Sequence, residues 1–240
     1  MSAVLEAGEC GVCGHTGEYV RSDLPTRESY HCQACGASLR YRQQASAITA
    51  AYGQPGAPFV KWLDQDSVRE LVIYEPGIVG PFRHLLRGLP GYCNSYYWPG
   101  IAPGEEHEGV RCEDLRRLTF ADDSMDLVIS SDIYEHVRGP GEAFAEIFRV
   151  LRPGGRHIFT VPLFWPLPST TQPRIDYSGP EDKFLVPPIY HGNPVDPQGS
   201  LVYTDFGMDL PEGLRWLGFE TVTHHGYRNA ITFVSQKPPA

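Results

Sequence analysis

The sequence predicts an α/β chain in which a largely parallel sheet with an antiparallel C-terminal edge follows a small zinc ribbon. Three observations predict it: two C-x2-C pairs near the start, an alternation of strand-like and helical segments from residue 68, and two closely spaced β-rich runs near the end. With 240 residues, 41% of them hydrophobic, the chain holds enough apolar material for one sizeable core and a small appendage.

The ribbon comes first. Cys10, Cys13, Cys32 and Cys35 form C-x2-C-x18-C-x2-C, the spacing of two knuckles that bring four thiolates to one tetrahedral zinc ion. Gly14 and Gly36 each follow the second cysteine of a knuckle, where the backbone must turn back at positive φ. The intervening segment, with Tyr19, Val20, Tyr30 and His31, reads as two short strands. Two disulfides would need an oxidising compartment that nothing else in the chain supports. Four thiolates leave no open coordination position, so the expected role of the metal is structural. Cys93 and Cys112 fall outside the pattern and read as small buried apolar residues. Residues 1–52 carry four arginines (Arg21, Arg27, Arg40, Arg42) against five acids, so the module is not basic. Arg40 and Arg42 open a helix expected over about 38–52, placed either to hold an anion or to dock the ribbon on the main domain.

The main domain is expected over 53–240. VRELVIYE is a short, nearly continuous apolar strand, GPFRHLLRG a helix, GYCNSYYW a second strand and GVRC a brief third. SMDLVISSD is a fourth strand, followed by a helix whose Phe144, Ile147, Phe148 and Leu151 recur at i, i+3, i+4, i+7 and which RPGG stops before the strand GGRHIFTVP. Residues 162–200 are rich in proline and glycine but interleaved with Phe164, Trp165, Tyr177, Phe184, Tyr190 and His191, the composition of an ordered lid. Either these aromatic faces serve an acceptor or they pack the lid onto the sheet. DFGMDLPEGLRWLGF suggests a helix, and ETVTHHGYR and NAITFVSQK pair as a hairpin at the sheet edge.

In open sheets of this kind ligands bind beyond the carboxyl ends of the strands, which places residues 75–80, 94–97, 113–114 and 132–136 on one rim. A net charge of -9 weighs against a broad phosphate-binding surface, so a small molecule is the expected partner and nucleic acid is disfavoured. No run reaches the roughly 18–20 apolar residues of a membrane span, and MSAVLEAGEC lacks the basic leader and apolar core of a signal peptide. The expected location is the cytoplasm.

The stretch EDLRRLTFADDSMDLVISSDIYEHVRGPGEAFAEIFRVLRPGGRHIFTVP resembles the class I S-adenosylmethionine-dependent methyltransferases, in particular the type 11-like group with EH after the fourth strand and RVLRPGG before the fifth. The resemblance covers roughly residues 68–164 and implies a Rossmann-like seven-stranded sheet. In that family the first loop reads E/D-x-G-x-G-x-G and approaches the methionine portion of the cofactor. Here Glu75 matches the acid and Gly77 the first glycine, while Val79 and Pro81 stand at the next two glycine positions and Gly80 lies one place off. The carboxylate that the family sets on the ribose hydroxyls is missing, and Asn94 stands nearby in its stead. Asp114 matches the acid that accepts from the adenine amino group, Leu115 would touch the ring, and Asp132 either closes the pocket below the methionine group or caps the next turn.

The resemblance implies S-adenosylmethionine as cofactor and a small polar metabolite, such as a sugar or natural-product intermediate, as methyl acceptor. If the acceptor must lose a proton, His136 on the rim and His191 in the lid are the candidate bases. The departures at Val79 and Asn94 keep open a catalytically inactive binding protein. A ribbon in front of such a domain keeps open an RNA base methyltransferase.

Overall fold

The computed structural model describes residues 5–240; residues 1–4 of the N-terminal stretch considered above lie outside the described part. The ribbon is a three-stranded antiparallel sheet of β1 (Leu5–Glu9), β2 (Thr16–Val20) and β3 (His31–Cys32). Each knuckle closes through a backbone bond from its glycine, Gly14 N–H to the Cys10 carbonyl and Gly36 N–H to the Cys32 carbonyl, both at 2.8 Å. Gly14 and Gly36 have φ of +73° and +71°, the left-handed conformation that the spacing called for.

Helix α1 (Leu39–Ala51) does more than connect. It buries Leu39, Ala45, Ala47 and Ile48, and its buried Gln44 amide donates to the carbonyls of Ser130 (2.9 Å) and Ile158 (3.1 Å). The same amide accepts from Ser131 Oγ at 2.6 Å, so a polar side chain inside the core has its capacity met by the sheet beneath it. Short helices α2 (Phe59–Leu63) and α3 (Asp66–Arg69) follow, and the Phe59 and Val60 amides donate back to Gly11 and Val12 of the first knuckle. Cys10, Val12, Tyr19 and Tyr30 of the ribbon therefore share one apolar cluster with Trp62, Ile73, Ile129 and Ile158. The core is continuous across residue 52.

The main sheet contains β4 (Ile73–Pro76), β5 (Tyr92–Tyr96), β6 (Glu106–His107), β7 (Val110–Cys112), β8 (Met125–Ser131) and β9 (Leu151–Thr160). Helix α4 (Pro81–Leu86) links β4 to β5, and α5 (Pro140–Val150) links β8 to β9. Six short strands then build the lid in three antiparallel pairs. β10 (Gln172–Pro173) pairs with β15 (Thr204–Asp205), β11 (Ile175–Asp176) with β12 (Lys183–Phe184), and β13 (Tyr190–His191) with β14 (Ser200–Leu201). Helix α6 (Leu210–Trp216) precedes the hairpin of β16 (Glu220–His225) and β17 (Ile231–Gln236).

The strand order is β16-β17-β9-β8-β4-β5-β7-β6. β4, β5, β7, β8 and β9 run parallel, and the C-terminal hairpin supplies the expected antiparallel edge. The sheet has eight strands where seven were expected. The extra one arises at the opposite edge, where Glu108 (φ +52°) and Gly109 (φ +73°) form a two-residue turn that folds β6 back on β7. Glycine beside a short acidic run gave little signal for a hairpin of two-residue arms.

Two further details depart from the sequence reading. Helix α5 buries Ala143, Phe144, Ile147 and Val150 and ends there, so Leu151 already belongs to β9. RPGG is a bulged entry to that strand, with Gly154 at φ +83° and a register shift against β8 between Met125 and Leu127. The lid, expected to end near 200, returns to the sheet through β15 at Asp205. Its Phe164, Trp165, Phe184 and Tyr190 are exposed, so they do not pack it down. Buried Leu163, Ile175 and Val202 do so, with Arg138 Nε on Asp182 at 2.8 Å and the Tyr203 amide on the Glu135 carbonyl at 2.7 Å. Among the described residues no helix is long and apolar enough to cross a membrane.

Candidate active site and metal centre

The four ribbon thiols converge. Cys10 and Cys35 sulfurs lie 3.8 Å apart and Cys13 and Cys32 sulfurs 3.7 Å, with all four within 4.8 Å of one another. A tetrahedron with Zn–S bonds of about 2.3 Å has S···S edges of about 3.8 Å, whereas a disulfide needs about 2.0 Å. The donor set and its spacing fit a structural zinc ion. Cys93 and Cys112 stand apart from the cluster.

The ribbon also reaches the rim of the main sheet. Arg27, in a 3-10 turn over Thr26–Glu28, is 6% exposed and grips Asp132 with both ends of its guanidinium, Nη1 to Oδ2 at 2.5 Å and Nη2 to Oδ1 at 3.0 Å. Arg40 Nε lies 3.3 Å from the same carboxylate, and Thr160 Oγ1 donates to it at 2.8 Å. Burial opposes ionisation of Asp132, but these two arginines outweigh it and hold the carboxyl well below its ordinary value. Asp132 is thus the anchor of the ribbon, at a backbone φ of +52°, with its carboxylate already engaged. Of the two sequence readings, docking is what Arg42 displays, its guanidinium carbon 3.6 Å from the centroid of the Tyr19 ring of the ribbon; Arg40 docks through Glu28 and Asp132 and keeps one nitrogen, Nη1, without a partner.

The glycine-poor loop after β4 keeps its glycines where the backbone requires them. Gly77 (φ +121°) and Gly80 (φ +114°) take the left-handed positions, whereas Val79 is 58% exposed and Pro81 opens α4, so neither side chain turns into the sheet end. A Cβ added at Gly80 would stand 2.8 Å from the Tyr41 hydroxyl, so α1 closes directly over the loop. Register pairs Glu75 with Asn94, and Asn94 Nδ2 donates to the Gly77 carbonyl at 3.4 Å, joining three of the expected cofactor residues. Glu75 is buried and accepts from the Tyr92 hydroxyl at 2.6 Å. Its burial pushes the carboxyl up to about 8, against the pull of Tyr92 and Arg83.

Asp114 lies on the adjacent rim. Burial raises its carboxyl and bonds from Arg116 lower it, with the net effect downward; the Arg116 amide (3.0 Å), Nε (3.0 Å) and Nη2 (2.6 Å) all donate to it. Leu115 beside it is buried.

His136 and His191, far apart in sequence, meet. Their ring centroids are 5.0 Å apart at 90°, and between them lies Glu135, a residue to which sequence reasoning gave no role. The His136 ring donates from Nδ1 to the Leu201 carbonyl at 2.9 Å, leaving Nε2 as the free nitrogen, 3.5 Å from Glu135 Oε1. His191 Nδ1 stands 3.7 Å from the same oxygen. Glu135 is 1% exposed. Glu135 and His191 form the floor of a cavity of about 400 Å³ whose walls include Phe164, Trp165, Ile189 and Asp205 of the lid. The signal for Glu135 was present in the EH pair itself, but burial cannot be read from one acid in a polar turn. Arg27 and Tyr41 carried no signal at all.

Comparison with known proteins finds partial matches. Residues 101–159 match the model of a methyltransferase domain. An uncharacterised methyltransferase of Mycobacterium marinum is 34% identical over 150 residues, 54% of this chain and 57% of that protein. Another from Mycobacteroides abscessus is 28% identical over 204 residues, 73% of this chain and 78% of that protein. An S-adenosylmethionine-dependent methyltransferase structure from Mesorhizobium loti aligns with a TM-score of 0.47 and 16% identity over 75% of this chain and 96% of that one. The segment from β6 to β9 is thus similar to a methyltransferase domain. It spans a little over half the length (57%) of the M. marinum relative.

Proposed function

We propose that the chain transfers the methyl group of S-adenosylmethionine to a small polar acceptor held in the lid cavity. The observation that carries this reading is that Glu135, which lines that cavity, follows β8 while the Gly77–Gly80 loop follows β4, two neighbouring parallel strands whose carboxyl ends share one rim. The cofactor supplies an electrophilic methyl on a sulfonium, and the protein's main task is alignment of the acceptor behind it.

Gly77 and Gly80 allow the close backbone approach, Asn94 and Asp114 offer acceptors for the ribose and the adenine amino group, and Leu115 supports the ring. Arg40 adds a feature suited to the methionine carboxylate. Its guanidinium lies 4.2 Å from the Tyr41 ring beside Gly80, and its buried Nη1 has no hydrogen-bond partner. Asp132, engaged by Arg27 and Arg40, shapes this end of the pocket without a free carboxylate. A hydroxyl acceptor in the cavity would lose its proton toward the cluster of His191, Glu135 and His136 as its oxygen takes the methyl. The ribbon holds one zinc ion through Cys10, Cys13, Cys32 and Cys35 and serves architecture.

Calorimetry with S-adenosylmethionine and S-adenosylhomocysteine tests the reading, with binding of both at a single site expected. Silence with both ligands overturns it. The inactive alternative draws on Asn94, which spends its amide on Gly77 and replaces a ribose carboxylate. Methyl transfer to any acceptor from a panel of sugars and phenols removes that alternative.

A further inference from the structure

We propose that Glu135, His136 and His191 form a binding site for a first-row divalent transition-metal ion on the floor of the lid cavity. Both carboxylate oxygens of Glu135 are buried and neither has a hydrogen-bond partner. A carboxylate left in that state costs several kcal/mol, of order, unless a cation or proton meets it. Among the described residues no guanidinium or ammonium pairs with it: Arg27 and Arg40 engage Asp132 and Glu28, and Arg138 engages Asp182. The two side chains turned toward it are imidazoles.

Their spacing fits an ion better than it fits hydrogen bonds. Glu135 Oε1 lies 3.5 Å from His136 Nε2 and 3.7 Å from His191 Nδ1, beyond a normal N–H···O bond. The three ligand atoms all lie within 4.8 Å of one another. Ligand bonds of about 2.0–2.2 Å in tetrahedral array place neighbouring ligand atoms about 3.4 Å apart, so small contractions close the site around a metal.

The surroundings match how metal-binding histidines are held. The Leu201 carbonyl fixes His136 with its proton on Nδ1 and its lone pair on Nε2 toward Glu135. Leu201 is on β14, whose pairing with β13 also positions His191, so one two-stranded pair sets both imidazoles. Two imidazoles and one carboxylate favour zinc, iron, cobalt or nickel over magnesium or calcium, which prefer oxygen. His191 and Glu135 face the cavity, which leaves the remaining coordination positions open to a ligand there.

One consequence rests on the methyl-transfer reading. An acceptor hydroxyl bound to the ion would be acidified by it, and the histidines would then act as ligands in place of bases.

The test needs neither cofactor nor acceptor. Protein with one zinc per chain in the ribbon, cleared of weaker metal by brief treatment with EDTA, is titrated with Co2+ by calorimetry and visible spectroscopy. One further equivalent is expected, with d–d bands but no thiolate-to-cobalt charge transfer, which sets it apart from exchange into the ribbon. H191N and E135Q should each weaken Co2+ binding at least about tenfold while retaining the ribbon zinc. H191N changes a half-exposed lid residue, so it tests the site even if E135Q does not fold; thermal melts of both report folding. Absence of a second equivalent in the wild type overturns the proposal, as does unchanged Co2+ affinity in folded H191N. Cofactor binding measured separately keeps this outcome distinct from failure of the methyltransferase reading.

Discussion

Replacing Arg27 by methionine should destabilise the whole chain by about 3 kcal/mol, because it removes the cation from a buried carboxylate while keeping most of the apolar volume. Arg27 makes three bonds into the main domain, two to Asp132 at 2.5 and 3.0 Å and one to the Val161 carbonyl at 3.1 Å. Breaking one partner of a buried pair costs about 3–5 kcal/mol. Arg40, 3.3 Å from the carboxylate, and the Thr160 hydroxyl remain, which places the effect at the lower end. For a chain of this size about 3 kcal/mol corresponds to a fall in Tm of about 6–12 °C. The assay is urea unfolding of zinc-loaded wild type, R27M, D132N and the double variant. Since the folded state depresses the Asp132 carboxyl, its contribution is present above the unfolded value of 3.8 and is lost as pH falls below it. The gap between wild type and R27M should therefore narrow on acidification. A coupling energy of about 2 kcal/mol is expected from the cycle; energies that add to within about 0.5 kcal/mol would refute the argument.

Stripping the ribbon metal with a strong chelator should abolish cooperative folding of residues 5–38 and lower the Tm of the remainder, as measured by zinc release and melting together. His157 is wholly buried and burial pushes its imidazole down to about 3, so the native state loses stability as pH falls from 6.5 toward that value. H157L should reduce the loss between pH 7 and 4.5 by about 2–3 kcal/mol in urea titrations at the two pH values, and an unchanged slope would count against it. Glu75 has the opposite sign: its raised carboxyl gives stability that is full below 4.5 and lost as pH rises through about 8. E75Q should accordingly gain about 3–5 kcal/mol relative to wild type at pH 9 compared with pH 4.5, a difference that parallel melts at the two pH values would reveal or exclude.

The architecture was legible where one residue type fixes one conformation. Cysteine spacing and the knuckle glycines defined the ribbon because metal geometry and positive φ leave few alternatives. The apolar stripe of α5 and the continuous runs of β4, β8 and β9 defined the sheet because burial on both faces removes polar residues. The lid was recognised as ordered, but its paired strands have arms of only two residues, too short for any periodicity. At the site the glycine loop illustrates a finer limit. Counting glycines against a pattern made Val79 look obstructive, whereas the backbone shifts by one residue, puts Gly80 at the strained position and turns Val79 to solvent. Glu135 escaped because its importance is a matter of what does not touch it, and Arg27 because its partner lies 105 residues away.

That long-range pair gives the ribbon a part in the site's electrostatics. Asp132 and Glu135 are three residues apart beyond the end of β8, Glu135 buried and the Asp132 carboxylate largely so, and the Asp132 charge adds to the burial that raises the Glu135 carboxyl. Two like charges in so small a volume are sustainable only if cations meet them. Arg27 and Arg40, delivered by the four-cysteine ribbon and the helix that follows it, neutralise Asp132. With that charge met, what remains at Glu135 is a single carboxylate facing two imidazoles, a deficit of one cation that a divalent metal can fill. The ribbon is thereby more than a staple, because Arg27 ties its fold to the charge on the rim.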